Sequence, residues 1–478
     1  MKKYISYLAS ILMPKSSVAK TDNFKDATDA YNKSNYAKAI ELFRPLATEG
    51  NTAAQWYLGW MYKNGEGVMQ DYKEAALWYQ KAADQGDASS QFNLGLMYSA
   101  GDGVTQDHKE VVKWYRKAAD QGDLGAQFNL ALMYKNGEGV TQDYEESAKW
   151  YLLAADQGDV GAQFNLAQMY ERGEGVIQDN KESAKWYHLA GDQGQAKAQY
   201  RLGMIYDRGI GVIQDFEESA KWYRKAGDQG DARAQYLLGA KYDEGIGVLQ
   251  DHEESAKWYR KAGDQGDARA QYLLGAKYDG GIGVLQDHEE SAKWYRMAGD
   301  QGDARAQYNL GLMYKNNKGS GQDLKESVKW FRLAAEQGDA GSQFNLGLMY
   351  DNGQGVVQDN KESAKWYRMA GDQGDARAQY NLGLMYKNGE GVIQDYKEAV
   401  NLYRLAAEQG HAKAQSNLGF MYAIGQGVTK DYVCAHMWCN LAASNGHRIA
   451  SENLDKIAKG MTPAQIDEAQ DMARDCKT

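Results

Sequence analysis

One period governs this chain. Residues 235–270 recur as 271–306 with two differences, Glu244 matched by Gly280 and Lys261 by Met297. The same 36-residue frame runs outward in both directions. Its glutamine returns as Gln55, Gln91, Gln127, Gln163, Gln199, Gln235, Gln271, Gln307, Gln343, Gln379 and Gln415, eleven units without insertion or deletion. A constant period of this length predicts supersecondary units that bury their apolar faces on one another. The 478 residues therefore read as one continuous array, where length alone would suggest about three domains.

Each unit reads as two short helices. Helix B carries apolar residues at i, i+3, i+4 and i+7, as Ala75, Trp78, Tyr79 and Ala82 do in the first unit. An Asp-x-x-Glu pair opens it, from Asp71 and Glu74 to Asp395 and Glu398. That pair predicts a capping box: the aspartate accepts from first-turn N–H groups, the glutamate reaches back, and both charges suit the positive end of the dipole. Basic residues such as Arg224 and Lys225 lie toward the other end, and Gly86 and Gly122 supply a left-handed stop. Helix A carries Ala54, Leu58 and Tyr62 on its core side, with Gly59 allowing a close backbone approach. Between them lies Gly65-Glu-Gly67-Val-Met-Gln-Asp71, with both glycines kept in ten of eleven units and Asn317 replacing the first in the eighth. Recurrence at one place between helices makes this a turn, not a phosphate cradle.

The pattern Ala-Gln-Tyr-Asn-Leu-Gly-x-Met-Tyr, then Gly-x-Gly-Val-x-Gln-Asp, then Ala-x-x-Trp-Tyr-x-x-Ala-Ala-x-Gln-Gly resembles the Sel-like repeat, a relative of the tetratricopeptide repeat. The resemblance covers roughly residues 24–478. It implies an all-α fold, an α/α solenoid wound as a right-handed superhelix with its A helices on the concave face. It also implies an adaptor or scaffold that binds other proteins. Bacterial relatives are often exported, and some act in host interaction or envelope maintenance. Members that staple every repeat with paired cysteines have been linked with β-lactam binding. This chain lacks those pairs.

The ends differ from the array. Met1-Lys-Lys3, an apolar run from Tyr4 to Met13 and the small-x-small Ser17-Val-Ala19 have the layout of a secretory signal peptide cut after Ala19. The alternative is a cytoplasmic protein starting at Met1. At about ten residues the run falls far short of the ~20 needed to span a bilayer. Residues 20–50 form an N-terminal capping half-repeat, with Pro45 expected to kink its second helix. Eleven repeats fill 51–446, and 447–478 supply closing helices, the last opened by the capping box Thr462-Pro-Ala-Gln465.

Little in the chain points to chemistry. Cys434 and Cys439 point about 140° apart around one helix, so a bond between them is poor. A bond from either to Cys476 and plain buried thiols both remain open. The seven histidines are scattered, and His-Glu-x-x-His, Cys-x-x-Cys and Gly-x-Ser-x-Gly are absent. We expect no catalytic residues, no metal and no cofactor. The net charge of −10 disfavours nucleic acid, which wants a basic face.

Comparison among the repeats separates packing from surface. Positions equivalent to Leu58, Tyr62 and Trp78 hardly change, whereas those equivalent to Ala53, Tyr57, Trp60 and Asn64 vary and share one face of helix A. The first position becomes cationic, as Lys197, Arg233, Arg269, Arg305, Arg377 and Lys413. The second holds Asn93, Asn129, Asn165, Asn309, Asn345, Asn381 and Asn417, and the third is mostly apolar, from Trp60 to Phe420. On one reading these residues form a groove for a protein or extended peptide, the cations suiting an acidic one. On the other, each arginine pairs with an N-cap aspartate such as Asp231 or Asp267, and each asparagine braces its own repeat. Two functions follow: an exported adaptor, or an envelope enzyme or enzyme cofactor acting on cell-wall material. Oligomeric state is not readable here.

Overall fold

The computed structural model describes residues 21–319 and 322–475, so the expected signal peptide over 1–19 and Cys476 lie outside the described residues. Among those residues there are 26 helices and no strand. The chain is an α/α solenoid, in which residues 51–446 make eleven pairs of 13-residue helices, the first being Thr52–Asn64 and Tyr72–Asp84. The chain divides into two compact units between Gln229 and Gly230. The first holds Thr21–Asn32, Tyr36–Thr48 and the helix pairs up to Phe216–Asp228. The second runs from Ala232–Glu244 through six pairs to Arg448–Ala458 and Pro463–Asp475.

The B helix begins where its aspartate accepts two amides, Lys73 N at 2.9 Å and Glu74 N at 3.2 Å on Asp71. The reciprocal half of the expected capping box does not form. The Asp71 N–H donates instead to the Tyr62 carbonyl at 2.9 Å, as Asp143 does to Tyr134 and Asp395 to Tyr386. This bond closes the loop onto its own A helix, and a satisfied donor has nothing to offer the glutamate. Glu110 therefore turns to Lys113 at 2.8 Å and to the Trp114 indole N–H at 2.9 Å.

The two loop glycines have different tasks. The first ends the A helix in a left-handed conformation, φ 71° at Gly65, and Asn317 does the same at φ 57°. The second seats the loop on the preceding pair: a Cβ on Gly103 would lie 2.1 Å from the Tyr72 carbonyl oxygen, so no side chain fits.

Packing within a pair rests on a glycine facing a ring. A Cβ on Gly239 would come within 2.7 Å of Tyr259, whose ring is 2% exposed. Packing between pairs rests on the tryptophan. Trp330 is 1% exposed, and a Cβ on Gly299 of the preceding B helix would sit 3.1 Å from its ring.

The recurring glutamine is the polar clamp of the array. Gln91 donates to the Ala83 carbonyl of the preceding B helix at 3.0 Å and accepts from Gln121 of its own at 2.8 Å. Gln379 repeats this with Gly371 at 2.9 Å and Gln409 at 2.9 Å. A buried amide satisfied on both sides fixes register as well as contact.

At the start, Tyr57 leaves the variable face assigned to it. It is 7% exposed, stacked on Phe43 at 4.5 Å with Tyr31 at 5.2 Å, because the cap covers this first pair. Pro45 lies in the last turn of Tyr36–Thr48, where it has no N–H to return to the Glu41 carbonyl. At the other end Thr462 and Gln465 bond reciprocally, at 2.9 and 3.3 Å, and Ala469 and Ala473 are buried against Met437 and Leu441. Among the described residues Cys434 and Cys439 form no disulfide, and burial pushes the Cys439 thiol up to about 11.

Candidate partner-binding face

The four arginines of the variable face sit two residues past an N-cap aspartate, which brings each guanidinium back onto that carboxylate. The separations are 2.9 Å for Arg233 and Asp231, 2.8 Å for Arg269 and Asp267, and 2.6 Å for both Arg305 with Asp303 and Arg377 with Asp375. The aspartates are 10–11% exposed and the arginines 53–57%. Burial pushes the Asp375 carboxyl up, but the Arg377 hydrogen bond, the Ala378 and Arg377 amides and the Arg377 charge together outweigh it and hold the group below its ordinary value.

A ring from the preceding pair completes each of three stacks. Arg269 lies 4.2 Å over Tyr236, Arg305 4.2 Å over Tyr272 and Arg377 4.2 Å over Phe344. Where the position is glycine the ring moves in: a Cβ on Gly341 would meet Tyr308 at 3.0 Å, and one on Gly125 would meet Phe92 at 2.9 Å. The aromatic row was missed by the repeat comparison because it looked for variation. Its signal was present, since an aromatic stands three residues after the variable position in ten of eleven repeats, Ser416 being the exception.

The asparagines are held by the scaffold to different degrees. Asn93, Asn165 and Asn345 donate to the carbonyls of Ser89, Gly161 and Gly341 at 2.8–2.9 Å. Asn345, 6% exposed, also accepts from Lys315 at 2.9 Å, and Asn165 from Lys135 at 3.4 Å. Asn309, Asn381 and Asn417 lie beside the hydroxyls of Tyr295, Tyr367 and Tyr403, which burial drives well above the ordinary phenol range. Asn129 is half-buried on the same face.

The apolar positions end differently in the two units. Trp60 stacks on Trp56 at 5.8 Å, while Phe420 is 43% exposed with the Lys387 ammonium 5.6 Å from its ring. In the second unit Phe344, Arg377, Tyr380, Asn381, His411 and Lys413 line one shallow pocket, joining three of the sequence-derived residues, Arg377, Asn381 and Lys413, to three rings. His411 occupies the N-cap place that aspartate holds in eight of the eleven A helices, and its Nδ1 accepts from Ala414 N at 3.2 Å. Burial first, then Lys413, lowers its pKa.

Two lysines depart from the packing rule. Lys241 and Lys277 stand where most repeats bury methionine, and both are themselves buried. Lys277 pairs with Asp243, which also takes His252 Nδ1 at 2.8 Å. Burial raises the Asp243 carboxyl, yet these two hydrogen bonds hold it below its ordinary value. Among the described residues no three His, Cys, Asp or Glu side chains gather as a metal-ligand set, and no helix is long and apolar enough to cross a membrane.

The Sel1 repeat family matches twelve segments of the chain: residues 32–51, 52–87, 88–123, 125–159, 160–195, 196–231, 232–267, 268–303, 304–339, 340–375, 376–411 and 412–447. Among solved structures the chain is similar to c5321, described as a protective antigen present in uropathogenic Escherichia coli strains displaying an SLR fold. The identity is 36% and the TM-score 0.76, over 91% of this chain and 94% of that one. A Sel1 repeat protein from Oxalobacter formigenes is 33% identical with a TM-score of 0.50, over 65% of this chain and 90% of that one. No curated protein matches the sequence.

Proposed function

The chain belongs to the Sel1 repeat family, a fold that typically mediates protein–protein interaction, and on that premise we propose that it is a non-catalytic, exported adaptor. It takes an extended, acidic segment of a partner protein along the A-helix face of its second unit. The observation that carries this reading is the set of arginines stacked on rings at 4.2 Å. Each guanidinium is oriented by one aspartate and one aromatic face, with more than half of its surface left to solvent. A planar fork held in place loses little entropy on meeting a carboxylate. The pocket around Arg377, Lys413 and Asn381 adds a cation whose N-cap partner is histidine rather than aspartate.

The test uses a fluorescein-labelled glutamate-rich peptide against the full chain. Binding should weaken steeply between low and physiological salt, because exposed charges are screened within about 8 Å there. Arg269→Gln, Arg305→Gln and Arg377→Gln together should lower the affinity at least tenfold. Binding indifferent to salt and to these substitutions returns the arginines to pairing alone.

Export rests on the Met1–Ala19 layout and on similarity to a chain described as a protective antigen. N-terminal sequencing of the mature protein should give a start at Lys20; an intact Met1 refutes it.

A further inference from the structure

The loops between A and B helices carry a second surface. In ten of the eleven, the valine equivalent to Val68 is half-buried and the next residue points outward. That residue is Met69, Ile177, Ile213, Leu249, Leu285, Val357 or Ile393, with 88–91% of its surface exposed. A lone exposed apolar side chain needs no explanation, but recurrence at one loop position does. The fold does not require it, because Thr105, Thr141 and Thr429 fill the same place.

Two loops of the second unit extend the feature. Ile246, 37% exposed, and Ile282, 48% exposed, stand between the loop glycines, where Glu66, Glu138 and Glu390 stand in other repeats. The two loops are contiguous through the fold: a Cβ on Gly283 would lie 2.0 Å from the His252 carbonyl oxygen and 2.8 Å from Glu253 N. The flanking charge is acidic. Residues 245–254 and 281–290 each hold three carboxylates and neither lysine nor arginine. Lys257 reaches Glu253 and Glu254 at 2.9 Å, and Lys293 reaches Glu290 at 3.1 Å, so neutralisation is partial. The histidines turn aside to Asp243 and Asp279, at 2.8 and 3.0 Å.

We propose that these two loops dock a basic amphipathic segment of a partner protein. Its apolar face lies on Ile246, Leu249, Ile282 and Leu285, and its lysines or arginines meet Glu253 and Glu289. Charge selects this occupant. A second copy would bring the same carboxylates, and an anionic membrane would be repelled. The surface is separate from the arginine face, and its partner has the opposite charge.

The probe is a labelled 18-residue helical peptide of leucine and lysine with its leucines on one face, beside a control with glutamate for lysine. The full chain should bind the first and not the second. Leu249→Ser with Leu285→Ser should weaken binding at least tenfold, and since both residues are 91% exposed the variant should melt as the wild type does. Glu253→Gln with Glu289→Gln should weaken it several-fold and flatten its salt dependence. Equal binding by wild type and the serine variant overturns the proposal. So does binding of the glutamate control, or apolar contact that shows itself only as self-association or adsorption to phosphatidylserine vesicles.

Discussion

The arginine face and the loop row of the second unit are both variable from repeat to repeat, yet their side chains stand in opposite conditions. Arg269, Arg305 and Arg377 are each held by a carboxylate and a ring, and Asn345 is bonded on both sides of its amide. Leu249, Leu285 and Ile393 are 91% exposed. Variation between repeats therefore marks two kinds of surface. One is oriented in advance and will recognise geometry; the other is unconstrained and will recognise apolar area and charge. A ligand for the first gains from donors already aimed, whereas a ligand for the second gains by removing from water side chains that the fold leaves there.

The scaffold beneath both surfaces gives the largest expected effect. Trp330→Ala should cost roughly 3–5 kcal/mol, as large-to-small changes in cores do. Contacts in repeat arrays are mainly between neighbours, so protection from hydrogen exchange should fall around residues 288–352 and persist near the C-terminal cap. Loss of protection to the same extent from end to end would make the array one cooperative block. The two surfaces could then no longer be treated as independent.

A middle-sized effect divides the asparagines. Asn345 donates to Gly341 at 2.9 Å, accepts from Lys315 at 2.9 Å and is 6% exposed. Asn345→Ala should cost about 1 kcal/mol, the usual net value of such bonds. Asn309→Ala should cost measurably less, since the residue is only half-buried. Thermal melts of the two variants decide it. Equal losses would place both residues in the scaffold. No loss at Asn345 would return the whole row to the oriented surface.

Much of this was legible in the sequence, for reasons that also set the limit. Period, helix ends and loop glycines are local features, each written in residues close to where they act: Asp71 with its two amides, Gly65 with its positive φ, Asn317 as the substitute. What crosses between helices was not. The recurrence of Gln91 was plain, but its bonds to Ala83 and Gln121 span 8 and 30 residues. The reciprocal glutamate bond failed because a backbone carbonyl, Tyr62, reaches the Asp71 N–H first. The arginines illustrate the other difficulty. Pairing with aspartate and availability to a ligand read as alternatives in the sequence, whereas Arg305 and Arg377 are each paired with a carboxylate, stacked on a ring and still more than half exposed. The loop row was hidden by chemistry: Val68 and Met69 are both apolar neighbours, and only the turn decides that one faces in and the next faces out.

The smallest expected effect is the most telling. Leu249→Ser and Leu285→Ser remove two large side chains, which in a core would cost several kcal/mol. At 91% exposure they contribute almost no buried area, so the double variant should stay within ~0.5 kcal/mol of the wild type, as surface changes do. Thr141, in a repeat that also opens its B helix with two glutamates, shows that the loop closes on a polar residue: Asp143 N still bonds Tyr134 O at 3.0 Å. Denaturant titration of the pair measures the change. A loss above 1 kcal/mol would mean that the leucines are covered in the folded protein, by the chain itself or by another copy, and that their exposure is not the free state of this surface. An unchanged midpoint leaves a row of apolar side chains that the fold neither needs nor uses. Any fall in peptide binding by the same variant then has no explanation through folding.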